Sequence, residues 1–480
     1  MILRLVKFLG VVMLFLVAVG VYQSKKNLPA GVNVASTVRS VPAESIRFLV
    51  DRTYVNQAGE RQFDHQIFDE VNSMIRGAKE YVLVDMFLFN DFQGDPPERA
   101  RALSSELVDT LIQKKKSVPE IEMTVVSDPI NNIYGGVVSK HFKALEENGI
   151  RVVITDLTKL RDSNPFYSAG WRTFIRWFGN SSRPGLAPHP LQANGQKVSF
   201  RSWLDLVNFK ANHRKLVVTD AGDRMATLIL SANPHDGSSA HSNIAVRVDD
   251  KLWRDVIRSE QAVGDFSGRE IPGRGGVVND RDGEAEVSLL TEGAIKDALI
   301  RLVNEAQAGD EIDMVMFYLA ERDVVKSLVN AANRGVKIRL VLDANKDAFG
   351  HTKIGVPNRP VAHEIVRKSK GNVEVRWCDT HGEQCHSKLT LLKFEDRHVL
   401  VAGSANLTKR NIGNLNLETN VMVSSQAEVP AMKEVVGYFE DIWGNRGGRL
   451  YTTSYETYAK NIFWKRVVYL MQETTGLSSF

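Results

Sequence analysis

Asn212-His-Arg-Lys-Leu-Val-Val-Thr-Asp220, followed by Leu230-Ser-Ala-Asn233, is met again as Cys385-His-Ser-Lys-Leu-Thr-Leu-Leu-Lys393, followed by Gly403-Ser-Ala-Asn406. His, Lys, Ser and Asn all shift by 173 positions, and twenty residues separate His from Asn in each copy. A lone His-x-Lys carries little. His141-Phe-Lys143 and His351-Thr-Lys353 share the spacing, and neither leads to Ser-Ala-Asn at that distance. Two copies in register with two Ser-Ala-Asn elements mark a duplicated site. On a strand, alternate residues share a face, so His213 and Lys215 point one way while Leu216 and Val218 turn to the core.

The duplication extends outward. Tyr81-Val-Leu-Val-Asp-Met-Phe-Leu-Phe89 pairs with Glu311-Ile-Asp-Met-Val-Met-Phe-Tyr-Leu319, each behind a helical stretch (residues 68–77 and 294–306). Met123-Thr-Val-Val-Ser-Asp128 pairs with Ile338-Arg-Leu-Val-Leu-Asp343, and Val152-Val-Ile-Thr-Asp156 with Val375-Arg-Trp-Cys-Asp379. Short apolar runs alternating with helices of ten to fifteen residues predict an α/β layer architecture in each half.

Two halves related by a pseudo-twofold would gather two His, two Lys and two Asn around one anion. A phosphodiester suits them. Its negative charge repels nucleophiles, and the lysines and amides offset that charge as the transition state develops it. One neutral imidazole can attack phosphorus while the other, protonated, donates to the leaving oxygen. No carboxylate cluster with metal-ligand spacing accompanies the motif, so no metal and no cofactor is expected.

The arrangement resembles the phospholipase D superfamily, whose HxK(x)4D motif occurs twice in two-domain members, as in bacterial cardiolipin synthases. The resemblance covers roughly residues 45–447. It implies two α/β/α sandwich halves with mixed sheets and the active site between them, and a reaction through a covalent phosphohistidine. It carries the nucleophile to His213 and the general acid to His386. Lys215, Lys388, Asn233 and Asn406 would bind the phosphate, with Ser231 and Ser404 beside them. Two departures stand out. The motif's Asp is present as Asp220 but replaced by Lys393 in the second copy, a position expected to be structural. An acid that orients the catalytic His is matched by Glu418, with Asn243 at the corresponding place in the first half. That asymmetry suggests Glu418 holding His386 protonated while His213 stays neutral.

Composition fits this reading. The 480 residues are 43% hydrophobic and 25% charged, which excludes disordered, collagenous and polytopic membrane classes. Sixty-one basic against 57 acidic residues give a net charge of +4, too mild for a dedicated nucleic-acid binder. Two cysteines, Cys378 and Cys385, form no metal ligand set. They close one small disulfide loop in an oxidising compartment or remain thiols in a reducing one.

Residues 8–22 carry no charge and are flanked by Arg4, Lys7, Lys25 and Lys26. Residues 1–26 therefore read as a signal peptide or membrane anchor, with a weak cleavage pattern at Ala18-Val19-Gly20. A linker at 27–44 follows, then the first half at 45–266. A Gly- and charge-rich linker at 267–284 leads to the second half at 285–447 and a basic amphipathic tail at 448–480.

The first half holds an aromatic-rich insert, residues 157–211, with Trp171, Trp177 and Trp203. Trp171, Phe174, Ile175 and Phe178 fall on one helical face, with Arg172 and Arg176 outside it. Either this face packs in the core or it meets a membrane surface. The tail mixes Lys460, Lys465 and Arg466 with Ile462, Phe463, Trp464, Val467 and Tyr469, with the same two readings. Anchor, basic aromatic elements and motif together favour a glycerophospholipid substrate at a bacterial-type inner-membrane or exported location. Transfer could go to water or to an alcohol. A nuclease of the same superfamily and a degraded, non-enzymatic scaffold are the alternatives. Both motifs lie in one chain, so no oligomer is required.

Overall fold

The computed structural model describes residues 1–275, 279–348, 351–460 and 462–476. Residues 276–278 of the second linker, and 461 and 477–480 of the tail, lie outside the described residues.

Each half is built on one mixed sheet, and seven strands follow the same order in both. The first half runs Ile46–Val55, Asn243–Val248, Arg224–Leu230, Lys215–Ala221, Tyr81–Met86, Glu122–Ser127, Arg151–Ile154. The second runs Ala285–Thr291, Thr419–Ser425, His398–Gly403, Lys388–Lys393, Glu311–Met316, Lys337–Leu342, Val373–Cys378. In each, the last three are parallel and the motif strand joins them antiparallel. Covered on both faces, the central strands read as apolar runs rather than alternations. All six residues of Tyr81–Met86 are buried.

The outer face of the first sheet carries the helices Ile67–Gly77, Leu103–Ser117 and Lys140–Glu147. The second carries Gly293–Glu305, Arg322–Arg334 and Asn358–Lys368. The inner faces share one core. Phe48, Val218 and Val246 of the first sheet belong to it together with Leu389, Leu400 and Val423 of the second. The helices Trp253–Phe266 and Pro430–Gly444 fill the same layer, with Phe48 and Tyr438 rings 5.7 Å apart. The expected pair of α/β/α halves is therefore present, fused through a common core.

The segments outside the halves are tied down. Within residues 27–44, Arg39–Val41 pairs antiparallel with Ala285–Thr291 and extends the second sheet. In the tail, Thr452–Ser454 extends the opposite edge of that sheet, and the helix Ile462–Thr475 packs beside Asn358–Lys368. The N-terminal helix, Ile2–Lys25, is exposed along most of its length. At about 1.5 Å per residue it is long enough to cross a bilayer. It meets the body only near its C-terminal end, where Gly20 is buried against Pro165 and Ala169 of the insert.

The insert departs from the single helical face that its spacing predicts. After a short helix, Pro165–Gly170, residues 171–175 form a π turn and 176–178 a 3-10 turn, so one periodicity does not hold. Arg172, expected outside, is buried and pairs with Asp162 at 2.8 Å, while Phe174, Trp177 and Phe178 are exposed.

The departure at Lys393 has a local explanation. Asp220 accepts from the backbone amides of Lys79, Glu80 and Tyr81 at 2.8–3.0 Å and so caps the head of the strand Tyr81–Met86. Lys393 instead pairs with buried Asp313 at 2.5 Å, which Arg339 also holds at 2.7 Å. D220A strands three amides, whereas K393A leaves Arg339 on Asp313. We expect D220A to lower unfolding free energy by about 2–4 kcal/mol in denaturant titrations and K393A by about 1. Equal losses would contradict this account.

Candidate active site

Each His is set by main chain from the other half. His213 N donates to Leu417 O at 2.9 Å, and His386 N donates to Ser242 O at 2.9 Å. Within each half, a strand-end carboxylate holds the residue before the His. Asp128 accepts from Asn212 N at 2.7 Å, and Asp343 from Cys385 N at 2.8 Å. The two approaches are then locked differently. Asn212 Nδ2 donates to buried Asp85 at 2.9 Å, whereas Cys385 is bonded to Cys378.

The side-chain partners also cross. His213 Nδ1 lies 2.8 Å from Glu418 Oε1, and His386 Nδ1 lies 3.1 Å from Asn243 Oδ1. This corrects the sequence expectation, which gave Glu418 to His386. The alignment of Glu418 with Asn243 holds. The main-chain bridges at 417 and 242, however, deliver each following side chain to the opposite half's imidazole. Asn243 Nδ2 donates to His241 O, so its Oδ1 is the acceptor. Both imidazoles thus carry the proton on Nδ1 and keep the Nε2 lone pair.

Ser231 and Ser404 are placed behind this layer. Ser231 Oγ donates to Asn243 Oδ1 at 3.0 Å, and Ser404 Oγ donates to Glu418. Neither lines the cavity, so their expected phosphate contact is not what the geometry provides. They position the groups that hold the imidazoles.

Lys215 and Lys388 are equally symmetric. Lys215 Nζ donates to His213 O at 2.8 Å and Lys388 Nζ to His386 O at 2.6 Å. Each sits over a phenylalanine ring, Phe87 at 5.0 Å and Phe317 at 5.1 Å. Those rings also lie 4.8 Å from His213 and 5.0 Å from His386. Sequence reasoning missed both phenylalanines, although they occupy the same place in the repeat, each just past its strand. Asp220 is remote from this group, at the far end of the motif strand.

His213, His386, Asn233 and Asn406 line one cavity of about 610 Å3. Asn406 Oδ1 has no hydrogen-bond partner among the described residues, and Asn233 Oδ1 accepts from Leu88 N at 3.3 Å. Phe87, Phe92, Leu206 and Phe209 give the cavity apolar walls, and the insert supplies part of its rim through residues 189–193 and 206–211. Arg410, also missed, lines it with Nε and Nη2 unpartnered and the guanidinium 5.2 Å from the Phe209 ring.

Basic groups crowd the cavity. Burial pushes His213 down to about 4, with Glu418 opposing and Lys215 adding to the shift. His386 falls well below its usual value through burial and then Lys388, with His241, Lys215 and His213 adding. Burial brings Lys215 to about 7, and lowers Lys388 strongly, with Lys215 adding. Burial alone would raise Glu418, but His213 and Lys215 outweigh it and keep the carboxyl below its usual range. Four buried basic groups, with Glu418 between them and Asp85, Asp128 and Asp343 acting on the lysines, make a receptor for an anion.

An anion entering beside these depressed groups raises them and draws protons from solution. Phosphate or vanadate binding near pH 7 should therefore take up about one proton. Calorimetry in buffers of different ionisation enthalpy reads this, and K215M should reduce it. Proton release on binding would contradict the charge balance.

Residues 299–443 match the family described as cardiolipin synthase, PLD-like domain. No curated protein matches the sequence. Among solved structures, phosphatidylserine synthase of Haemophilus influenzae is similar at 11% identity and a TM-score of 0.55, covering 93% of this chain and 94% of that one. Polyphosphate kinase from Porphyromonas gingivalis is similar at 14% identity and a TM-score of 0.44, over 85% of this chain and 51% of that one. Nuc of Salmonella typhimurium, a phospholipase D family member, aligns at 18% identity and a TM-score of 0.26, over 34% of this chain and 95% of that one. The family match lies in the second half, and the two-half fold is shared with the synthase over nearly its full length. The chain is thus similar to the cardiolipin synthase, PLD-like domain family over residues 299–443 and to the synthase in fold.

Proposed function

We propose that the protein is a phospholipase D-type phosphodiesterase or phosphatidyltransferase acting on glycerophospholipid headgroups. One observation carries the reading: two imidazoles, each held by the opposite half, line the same cation-crowded cavity. His213 is the nucleophile. Its Nδ1–H is held by ionised Glu418, which makes Nε2 more nucleophilic and stabilises positive charge on the ring as it attacks.

The P–N bond forms as the bond from phosphorus to the headgroup oxygen breaks. His386, protonated once the anion is bound, gives its Nε2 proton to that oxygen. In the second step His386 takes a proton from water or an alcohol. The resulting oxygen nucleophile attacks phosphorus, the P–N bond breaks and His213 is restored. Asn233 and Asn406 donate amide hydrogens to the phosphoryl oxygens, and Lys215 and Lys388 supply positive charge behind the imidazoles. This assigns the acid role to the His without a carboxylate. An amide keeps its proton transferable, whereas Glu418 would retain it.

The lipid reading rests on the apolar cavity walls and the N-terminal helix. The name of the similar Haemophilus influenzae protein, a phosphatidylserine synthase, is consistent with it. Gly20 is packed against the insert, so retention of the helix as an anchor suits the structure better than cleavage at that residue.

The test is turnover of labelled phosphatidylglycerol, phosphatidylcholine and DNA by the full chain, with and without chelator. Chelator-resistant lipid turnover is expected. H213A should reduce it by about three orders of magnitude or more. H386A should leave an acid-labile phosphoryl adduct that maps to residue 213. Turnover of DNA alone would establish a nuclease. Equal activity in H213A would overturn the mechanism.

A further inference from the structure

The C-terminal helix Ile462–Thr475 is packed inside out. Among its described side chains the buried ones are Lys465, Tyr469 and Glu473, at i, i+4 and i+8. Tyr469 donates to Ala320 O with Arg322 over its ring, and Glu473 accepts from Lys409 N at 3.0 Å. The opposite face presents Phe463 (84% exposed), Val467, Leu470 and Met471, with Trp464 beside them. A helix on a water-facing surface does the reverse. The insert repeats the inversion. Asp162 takes Arg172 and Lys210 in a buried cluster, while Phe166, Trp177 (69%) and Phe178 (71%) face outward.

The two segments touch at one end. Gly476, just past the C-terminal helix, lies against the backbone of Ser163 and Asn164, at the entry to the insert helix. The N-terminal helix docks on the other side of that entry. Gln23 O accepts from Asp162 N at 3.1 Å and Lys26 O from Arg161 Nε at 2.7 Å, with Gly20 against Pro165.

We propose that the insert and the C-terminal helix form one membrane-inserting platform, which seats the catalytic body on the bilayer entered by the N-terminal helix. Continuity with that apolar span selects lipid over a protein partner. The charge pattern agrees. Arg176 stacks over Trp177 at 4.1 Å, a Trp-with-cation pairing suited to the headgroup level. The insert also lines part of the cavity, so the platform and the cavity share one segment. The proposal goes beyond the reaction, and a nuclease working at the same cleft could use the same seat.

The test uses the full chain in vesicles of phosphatidylethanolamine and phosphatidylglycerol, with a photoreactive benzoylphenylalanine at position 178, 467 or 396. Asp396 sits in the hairpin turn at the far end of the second sheet, away from the motif, and is exposed. We expect on the order of ten-fold more acyl-chain adduct at 178 and 467 than at 396. Brominated lipids should quench tryptophan fluorescence less in W177F and W464F than in the parent. Protein adducts at 178 and 467, or lipid adduct no greater than at 396, would overturn the proposal. Activity is not the readout, so failure here is distinct from failure of the lipid reaction.

Discussion

The site depends on a hydrogen bond that no single half can make. Glu418, on the second half, holds the imidazole of His213, on the first, and Asn243 returns the contact to His386. Main-chain bonds from Leu417 to His213 and from Ser242 to His386 set the geometry of both. The shared core between the sheets keeps those bridges in register. Each half on its own would present a His-x-Lys with no group to fix its ring. The duplication therefore completes one site by exchanging parts, rather than making two.

Around that clasp basic groups are crowded together and buried. Two lysines and two histidines are buried within reach of each other's fields, and Glu418 is the carboxylate that pairs directly with one of the imidazoles. Each lysine is held against the carbonyl of its own motif histidine and over a phenylalanine, which fixes the ammonium without neutralising it. In the proposed reaction a phosphodiester supplies the missing charge, and catalysis would draw on positive charge that folding has already placed and desolvated.

Much of this was legible in the sequence, for a physical reason. Strand geometry and the needs of one anion fix the spacing of His213, Lys215 and Asn233, so both copies kept it, and the order of seven strands followed from the same repeat. The partner of Glu418 was not legible. A hydrogen bond between halves leaves no spacing signature, and a contact in cis and one in trans align identically. Ser231 and Ser404 look like phosphate ligands beside Asn233 and Asn406, but the next strand's side chains take their hydroxyls. Arg172 defeated helical-face arithmetic because its segment changes from α to π to 3-10 within fourteen residues. The insert and tail also invert the usual inside–outside rule, so an apolar stripe there does not mark the core.

The crossed clasp is tested most directly by nitrogen resonances of the histidine rings in selectively labelled protein. In E418Q, the His213 signals should move and those of His386 should stay. In N243D, the His386 signals should move instead, toward a more protonated ring, while His213 is unchanged. A shift of His386 in E418Q with His213 unmoved would show that each half orients its own histidine, and the exchange between halves would be wrong.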